Sequence, residues 1–449
     1  MSLPSVIQRL TWFALICVAP VVGHAADTLS LKDSVSFALE HNRMLSVSKA
    51  QVQAAEAQAD AATGQLMPRL DVSTGLFRTN SPLNTFGTKL QQQGVTAADF
   101  APTSLNSPAY INNYLTRLNL TMPLFAGGAN WAARSAAKSQ AQASTHQFDF
   151  HKQQLIYQTI AAYVQTRQAL AQVEAQQHAV RAASNRWHDA KALKKRGIAI
   201  ESDVMDAHVY VLRNQVALAQ AKAQYQDSLE NLRFVLGMNH AKDTPALAEP
   251  VIHFEAESVD ALLTQAYANR ADLLALQNTV EATNAGKRQA QAAYYPHVNL
   301  LATQEWNSDT FGLKNNNTTV GLNVSMNLFA GGSSSAQSRA AESKRIMASL
   351  QLEDKRQQIA NEVRQAWRGL HIAEQRLQSE TEALNQTLES LRIKSLRQQQ
   401  GLEKTSDLLD AQARADASRV TQIQAKYDYM IAKAALLLAA GTLHEGVVQ

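Results

Sequence analysis

Asp407 and Asp410 stand three residues apart, and Asp203 and Asp206 form the same pair 204 residues earlier. On a helix that spacing puts both carboxylates on one face, one turn apart. Several such pairs gathered round one axis would focus negative potential and draw cations. The same residues have a purely local use. Ser202, Asp203, Ser406 and Asp407 are types that cap helix starts, and an acid in the first turn suits the helix dipole. Each pair follows a glycine, Gly197 with Ile198 or Gly401 with Leu402.

Other chemistry finds little support. His146 and His151 are five apart, the wrong interval for two ligands on one helical face, so no metal site is expected. Met205, Met238, Met347 and Met430 are isolated from one another. Gly127-Gly128 and Gly331-Gly332 precede helical segments without the Lys-Ser/Thr of a phosphate loop. No serine sits in a Gly-x-Ser-x-Gly setting. The expectation is a protein that is not an enzyme and carries no cofactor.

What must position the aspartates is long. The core-type positions Leu155, Thr159, Ala162, Thr166, Ala169, Val173, Gln176, Val180, Ala183, Trp187 and Ala190 alternate steps of four and three, the coiled-coil rhythm. Ile359, Val363, Ala366, Leu370, Ala373, Leu377, Thr381, Leu384, Leu388 and Leu391 do the same. So many small and polar seam residues suit a wall of closely spaced helices better than a thick core. The pattern predicts a helix over residues 130–194, about 100 Å long at ~1.5 Å per residue. Partner helices over 203–236 and 407–440 stop at Gly237 and Gly441. Shorter helices over 43–66 and 271–294 end before Pro68 and Pro296. Trp131, Trp187 and Trp367 read as helix-packing residues.

Between the helices the period changes. Thr318, Val320, Leu322, Val324, Met326 and Leu328 alternate with Thr319, Gly321, Asn323, Ser325 and Asn327. Leu118, Leu120, Met122 and Leu124 likewise oppose Arg117, Asn119 and Thr121. That is the alternation of a membrane-barrel strand, lipid on one side and water on the other. Residues 69–79 and 297–307 are the candidate partner strands, with Trp306 a candidate for an interfacial girdle. Polar segments 80–113 and 308–317 would connect them. Four strands cannot close a barrel, whereas three chains supply twelve, so covering the free edges points to a homotrimer. Plainer readings of the same pattern are a soluble hairpin protein with two small sheets and a periplasmic coiled-coil scaffold without a pore.

The chain nearly repeats itself. Residues 118–128 return at 322–332, and in the early part of each half Ala38 and Pro68 return as Ala266 and Pro296. Residues 26–237 form the first repeat, 238–257 a linker carrying Pro245 and Pro250, and 258–449 the second repeat. Residues 1–25 read as a secretory signal: Arg9, an apolar run through Ala19, then Gly23-His24-Ala25. The one cysteine, Cys17, falls inside it, which leaves no thiol chemistry for the mature chain. No other stretch approaches the ~20 apolar residues of a spanning helix. The net charge of +4 is mild and interspersed, and export argues against nucleic acid as a partner.

The order and duplication of these pieces resemble the TolC family of outer-membrane efflux and secretion channels, over essentially the whole mature chain. The resemblance rests on Pro-Leu-Phe-Ala-Gly-Gly at 123–128, Asn-Leu-Phe-Ala-Gly-Gly at 327–332, the segments 196–204 and 400–408, and the closing Ala440-Gly441-Thr442-Leu443. It implies a mainly α-helical trimer, with a twelve-stranded transmembrane β-barrel continued by a long α-helical barrel across the periplasm. The implied location is the outer membrane of a Gram-negative bacterium, in contact with its lipid. The implied partners are a periplasmic adaptor (membrane fusion) protein and an inner-membrane transporter, for which the trimer is a passive duct. By the same resemblance Asp407 and Asp410, with Asp203 and Asp206 beside them, fall at a pore constriction. Gly197, Ile198, Ser202, Gly401, Leu402 and Ser406 fall at the tips that meet the adaptor. Some members latch the entrance with an arginine two residues after the second glycine. Here that position is Glu403, beside Lys404.

Overall fold

The computed structural model describes residues 28–238, 246–254 and 258–448. The expected signal, with Cys17, and the linker's Pro245 lie outside the described residues.

Two helices of 67 residues, α5 (Ala129–Lys195) and α9 (Ser333–Gln399), are the rods of the molecule. At ~1.5 Å per residue each is about 100 Å long. Each starts directly after a glycine in the left-handed region, Gly128 at φ 84° and Gly332 at φ 83°. From their far ends the chain turns back as α6 (Glu201–Leu236) and α10 (Thr405–Ala439). These cover only about half of each rod. The remaining length is covered by α2 (Arg43–Gly64) and α8 (Ala271–Gln291), preceded by α1 (Leu31–His41) and α7 (Val259–Asn269).

The short helices meet end to end. Asn42 caps α2, its Oδ1 accepting from Met44 N at 2.9 Å, while its Nδ2 donates to Val235 O in the last turn of α6 at 2.9 Å. Gly237 closes α6 so tightly against this joint that a Cβ there would sit 2.7 Å from His41 O. Arg270 occupies the corresponding joint of the second half, donating to Ala439 O at 3.4 Å next to Gly441. Because α5 packs on α2, α6, α8 and α10, while α9 packs on α7, α8 and α10, the helices form one curved layer in which α9 is an outer member. Ile346, Met347, Leu350 and Ile372 on α9 are accordingly exposed.

The core sits at the waist, where the joints lie. Leu31, Ile156, Ile160, Tyr163, Leu232, Leu236, Tyr427 and Leu443 pack together there. The Tyr163 hydroxyl lies 2.7 Å from Leu29 O and 2.9 Å from Ala248 O, which straps the chain start and the linker to α5. Along α5 the expected seam is buried at Leu155, Thr159, Ala162, Thr166, Ala169, Val173, Ala183 and Ala190.

At the other end the strands β1 (Arg69–Thr79), β2 (Ile111–Ala126), β3 (His297–Ser308) and β4 (Asn316–Ser325) form one antiparallel sheet in the order β1-β2-β3-β4. Its register sorts the two faces. Leu70, Leu120, Ala302 and Val320 lie side by side on one, while Asp71, Asn119, Thr303 and Thr319 lie on the other. The polar face is cross-linked by Arg117–Glu305 at 2.5 Å and by Thr303 Oγ1 donating to Asn119 Oδ1 at 3.0 Å. Val72, Val320, Leu322 and Val324 on the apolar face are exposed.

Three details differ from the sequence reading. β4 stops at Ser325, leaving Met326 and Leu328 outside it, because β3 begins only after Pro296 and offers those residues no partner. The 80–113 connection is not a plain loop but carries α3 (Pro82–Gln91) and α4 (Pro102–Asn106). It is pinned by Lys89–Asp99 at 2.5 Å, and the Lys89 ammonium with the Thr96 N–H holds the Asp99 carboxyl down to about 2. Trp131 is not buried between helices; it projects from the first turn of α5 at 64% exposure.

Candidate functional site at the hairpin tips

Both hairpins turn by the same backbone device. Gly197 and Gly401 each have φ 77°, a conformation that costs glycine little and other residues more. Ile198 N donates to Leu193 O at 3.0 Å and Leu402 N to Arg397 O at 2.9 Å, so carbonyls left over at the ends of α5 and α9 are satisfied. The turns push Ile198 and Leu402 outward, at 63% and 65% exposure.

The returning helices begin two residues before the expected positions, at Glu201 and Thr405. Ser202 and Ser406 therefore lie inside the first turn and are exposed; they are not the caps their residue type suggested. Capping falls to Asp203, whose carboxylate reaches back and accepts from Ile200 N at 3.1 Å. Asp407 holds the matching place in α10 and accepts no such bond. Its backbone carbonyl instead takes the Lys394 ammonium at 3.4 Å. Asp407 is half-buried and Asp410 exposed, with Leu408 and Leu409 buried between them. Asp206 is exposed as well.

Glu403 is tucked back onto α9. Its side chain is 13% exposed and pairs with Arg397 at 3.0 Å and Lys394 at 3.6 Å. At the first tip the pair is Lys194 with Glu201. Each tip is thus fixed within its own hairpin, and Lys404 stays exposed.

The two tips also hold each other. Leu409 packs with Ala190, Val204 and Ala207 in a small apolar cluster edged by Trp187 and Tyr210. The Tyr210 hydroxyl donates to Asp416 Oδ2 at 2.7 Å, and Gln412 Nε2 donates to the other carboxylate oxygen at 3.1 Å. Burial, then the adjoining Asp416 carboxylate, push the Tyr210 hydroxyl up, so it remains a donor throughout the physiological range. Arg186 reaches Ser395 Oγ across the rods at 3.1 Å, and Trp187 stacks on His208 with ring centroids 4.5 Å apart.

Sequence reasoning did not find the Tyr210–Asp416 tie. The repeat offered no help, since Arg414 stands 204 residues after Tyr210 and Leu212 stands 204 before Asp416. Among the described residues no group of His, Cys, Asp and Glu is placed to hold a metal ion.

The sequence matches the family described as outer membrane efflux protein over residues 35–238 and 262–442. It is 24% identical over 392 residues to the outer membrane efflux protein BepC of Brucella suis, covering 82% of this chain and 84% of that protein. To the alkaline protease secretion protein AprF of Pseudomonas aeruginosa it is 23% identical over 431 residues, covering 94% of this chain and 86% of that protein. The fold is similar to that of the crystal structure of the Vibrio cholerae outer membrane protein VceC. The TM-score is 0.77 at 20% identity, covering 92% of this chain and 96% of the other. The Campylobacter jejuni CmeC outer membrane channel gives 0.79 at 18% identity, covering 92% and 85%.

Proposed function

The chain belongs to the outer membrane efflux protein family, and from that premise we propose that three copies form a passive exit duct of a tripartite efflux pump or type I secretion system. One observation carries the proposal. The four-stranded sheet exposes a largely apolar face, its Thr74–Thr116 and Gln304–Thr318 pairs hydrogen-bonded to each other, keeps a cross-linked polar face behind it, and has unpaired edges at β1 and β4. An apolar face of this kind suits lipid, and unpaired edges at membrane depth must be closed. Three copies close them with twelve strands. The α5 and α9 rods continue the wall for about 100 Å, enough to cross much of a periplasm.

In this reading the tips are the entrance. Asp407 and Asp410, whose carboxylates have no hydrogen bond or ion pair among the described residues, give six carboxylates round the trimer axis and form a cation-attracting constriction. Asp203 holds the start of its helix, and Asp206 extends the acidic surface beside it. The exposed Ile198 and Leu402, on turns set by Gly197 and Gly401 with Ser202 and Ser406 alongside, are the surface offered to a periplasmic adaptor. The adaptor in turn connects the duct to an inner-membrane transporter.

Single-channel conductance of the purified protein in a planar bilayer tests this. The expected result is cation-selective openings blocked by multivalent cations, with block at least tenfold weaker in Asp407→Asn/Asp410→Asn. Folded, trimeric protein that conducts neither as wild type nor as the double variant would favour a periplasmic scaffold. A conducting wild type whose block ignores the substitutions would keep the duct and move its constriction elsewhere.

A further inference from the structure

The apolar face of the sheet does not stop where β2 ends. The register between β2 and β3 shifts between Pro123 and Phe125, so that Phe125 comes opposite Val298, which itself faces Val324. A strand without that irregularity would turn Phe125 to the polar face. The shift keeps it in line with Leu70, Leu120 and Leu322.

Directly below Phe125 lies an open cavity of about 830 Å³, walled by Trp131, Tyr294 and Tyr295 and reached by Arg288. Its floor is fixed where the β2–α5 turn crosses the α8–β3 turn. Gly127 lies so close to that crossing that a Cβ there would stand 2.5 Å from Ala292 O. The three aromatic residues keep about half or more of their surface exposed. Arg288 is exposed at the cavity, while the neighbouring Glu342 is taken up by Lys287 and Arg345. Arg134 adds a second cation, 5.7 Å from the Trp131 ring, with its Nε donating to Thr63 Oγ1 at 3.3 Å.

Position decides what can occupy this cavity. It is built from the end of β2, the start of α5, the end of α8 and the turn leading into β3, at the centre of the sheet and layer, so a second copy closing the edges at β1 and β4 leaves it uncovered. Its upper rim is continuous with the apolar face. Eight residues separate Val298 from Trp306 on the same face of β3, roughly 27 Å of strand. At the 35–45° tilt of barrel strands this rises roughly 20 Å through an apolar band of ~25 Å, which puts Trp306 toward the far rim and the cavity at the near one. Amphipathic rings at headgroup depth, with a guanidinium able to grip two phosphate oxygens, suit one occupant.

We propose that this cavity is a seat for a glycerophospholipid of the periplasmic leaflet. Its phosphodiester lies against Arg288, its glycerol region among Trp131, Tyr294 and Tyr295, and its acyl chains run up from Phe125 along the sheet. The seat exists once per chain. At the matching joint of the other repeat, Asp60 stands 228 residues before Arg288, Met67 stands 228 before Tyr295, and Ser335 stands 204 after Trp131. An acid where the phosphate would lie excludes the same ligand there.

The test uses full-length protein in phosphatidylglycerol nanodiscs, with tryptophan quenching by dibrominated phosphatidylglycerol and lipid retention read by native mass spectrometry. Trp131→Phe and Trp306→Phe should each remove part of the quenching. Arg288→Gln should lower retained phosphatidylglycerol about fivefold, the effect of one cation at a headgroup, and millimolar inorganic phosphate should not displace it. Quenching unchanged in Trp131→Phe, or retention unchanged in Arg288→Gln, overturns the seat. Displacement by inorganic phosphate overturns it in favour of a free-anion site. If Trp306→Phe also leaves quenching unchanged, the sheet is not in the bilayer and the membrane reading falls with the seat.

Discussion

The two halves of the chain share one order of helices and strands, apart from α3 and α4 in the first, yet fasten their waist joints and tips with different side chains. At the first joint a neutral Asn42 caps α2 and takes up the end of α6. At the second, Arg270 is buried with Asp272, their side chains 2.7 Å apart, and the cluster extends to Lys355 and Glu362 on α9. At the first tip Asp203 spends its carboxylate on Ile200 N, whereas at the second Asp407 does not, and Glu403 supplies the local ion pairs instead. The lesson is that the backbone plan tolerates exchange of its polar fasteners. At the tips this leaves Asp407, Asp410 and Asp206 without a fastening role, whereas Asp203 has one.

The largest effect should come from breaking the charged joint. Asp272→Asn leaves Arg270 buried with one carboxylate fewer, a loss of about 3 kcal/mol, toward the low end for a broken buried pair because Glu362 and Ala439 O remain. Asn42→Ala at the neutral joint should cost about 1 kcal/mol, the usual price of a cap. Thermal melting of the purified protein compares them, and equal losses would erase the distinction between joints. The two joints also differ with pH. Burial pushes the Asp272 carboxyl up, but hydrogen bonds and charge from Arg270 and Lys355 outweigh it and hold the group below its ordinary value. Its contribution is therefore full above the unfolded carboxylate value of about 4 and is lost as pH falls through the lower folded value. Wild type and Asp272→Asn should converge in melting temperature in acid, while wild type and Asn42→Ala keep their separation.

Next in size is the contrast between tips. If unspent carboxylates make the constriction, Asp203→Asn/Asp206→Asn should leave multivalent-cation block within about twofold, against the tenfold or more expected of the Asp407/Asp410 variant; both estimates scale with how many carboxylates face the axis. Equal loss of block in the two variants would mean that both tips line the pore and that capping does not withdraw Asp203 from it.

Much of this was legible in the sequence, for reasons that differ by element. The rods, the return helices and the sheet follow from periodicity and from glycine and proline, which act locally. The 3–4 seam, Gly237, Gly441, Pro68 and Pro296 therefore located elements to within a few residues. The end of β4 was not legible, because it depends on where β3 begins across the sheet. Nor was the register shift that brings Phe125 to the apolar face, nor the exposure of Trp131 in the first turn of α5. Ser202 and Ser406 looked like caps by type, yet a cap is defined by where the backbone leaves the helix, and that happens two residues earlier. Tyr210 and Asp416 are joined across 206 residues of chain by tertiary packing alone.

A smaller effect separates the two turns from their surroundings. Gly197 and Gly401 share φ 77°, and a Cβ at either would meet nothing within 4 Å. Alanine there costs only the backbone strain of the left-handed region, about 1 kcal/mol. Gly197→Ala and Gly401→Ala should therefore melt alike, within a few tenths of a kcal/mol, so any difference between them in adaptor binding reports contact and not folding.

The smallest effect bears most directly on the comparison. Asp203→Ala removes the carboxylate that accepts from Ile200 N and should loosen the first turn of α6 by about 0.5–1 kcal/mol. Asp407→Ala removes a carboxylate with no such bond and should change the first turn of α10 by less than about half of that, the residue of its favourable place at the positive end of the helix. Hydrogen exchange at the amides of Ile200 and Lys404 reads both directly, in the intact protein and without reference to transport. Faster exchange at Ile200 alone would establish that one aspartate belongs to the fold. Equal acceleration at both would mean that Asp407 is also engaged in capping in solution, and the constriction would then rest on Asp410, which is exposed one turn further along α10.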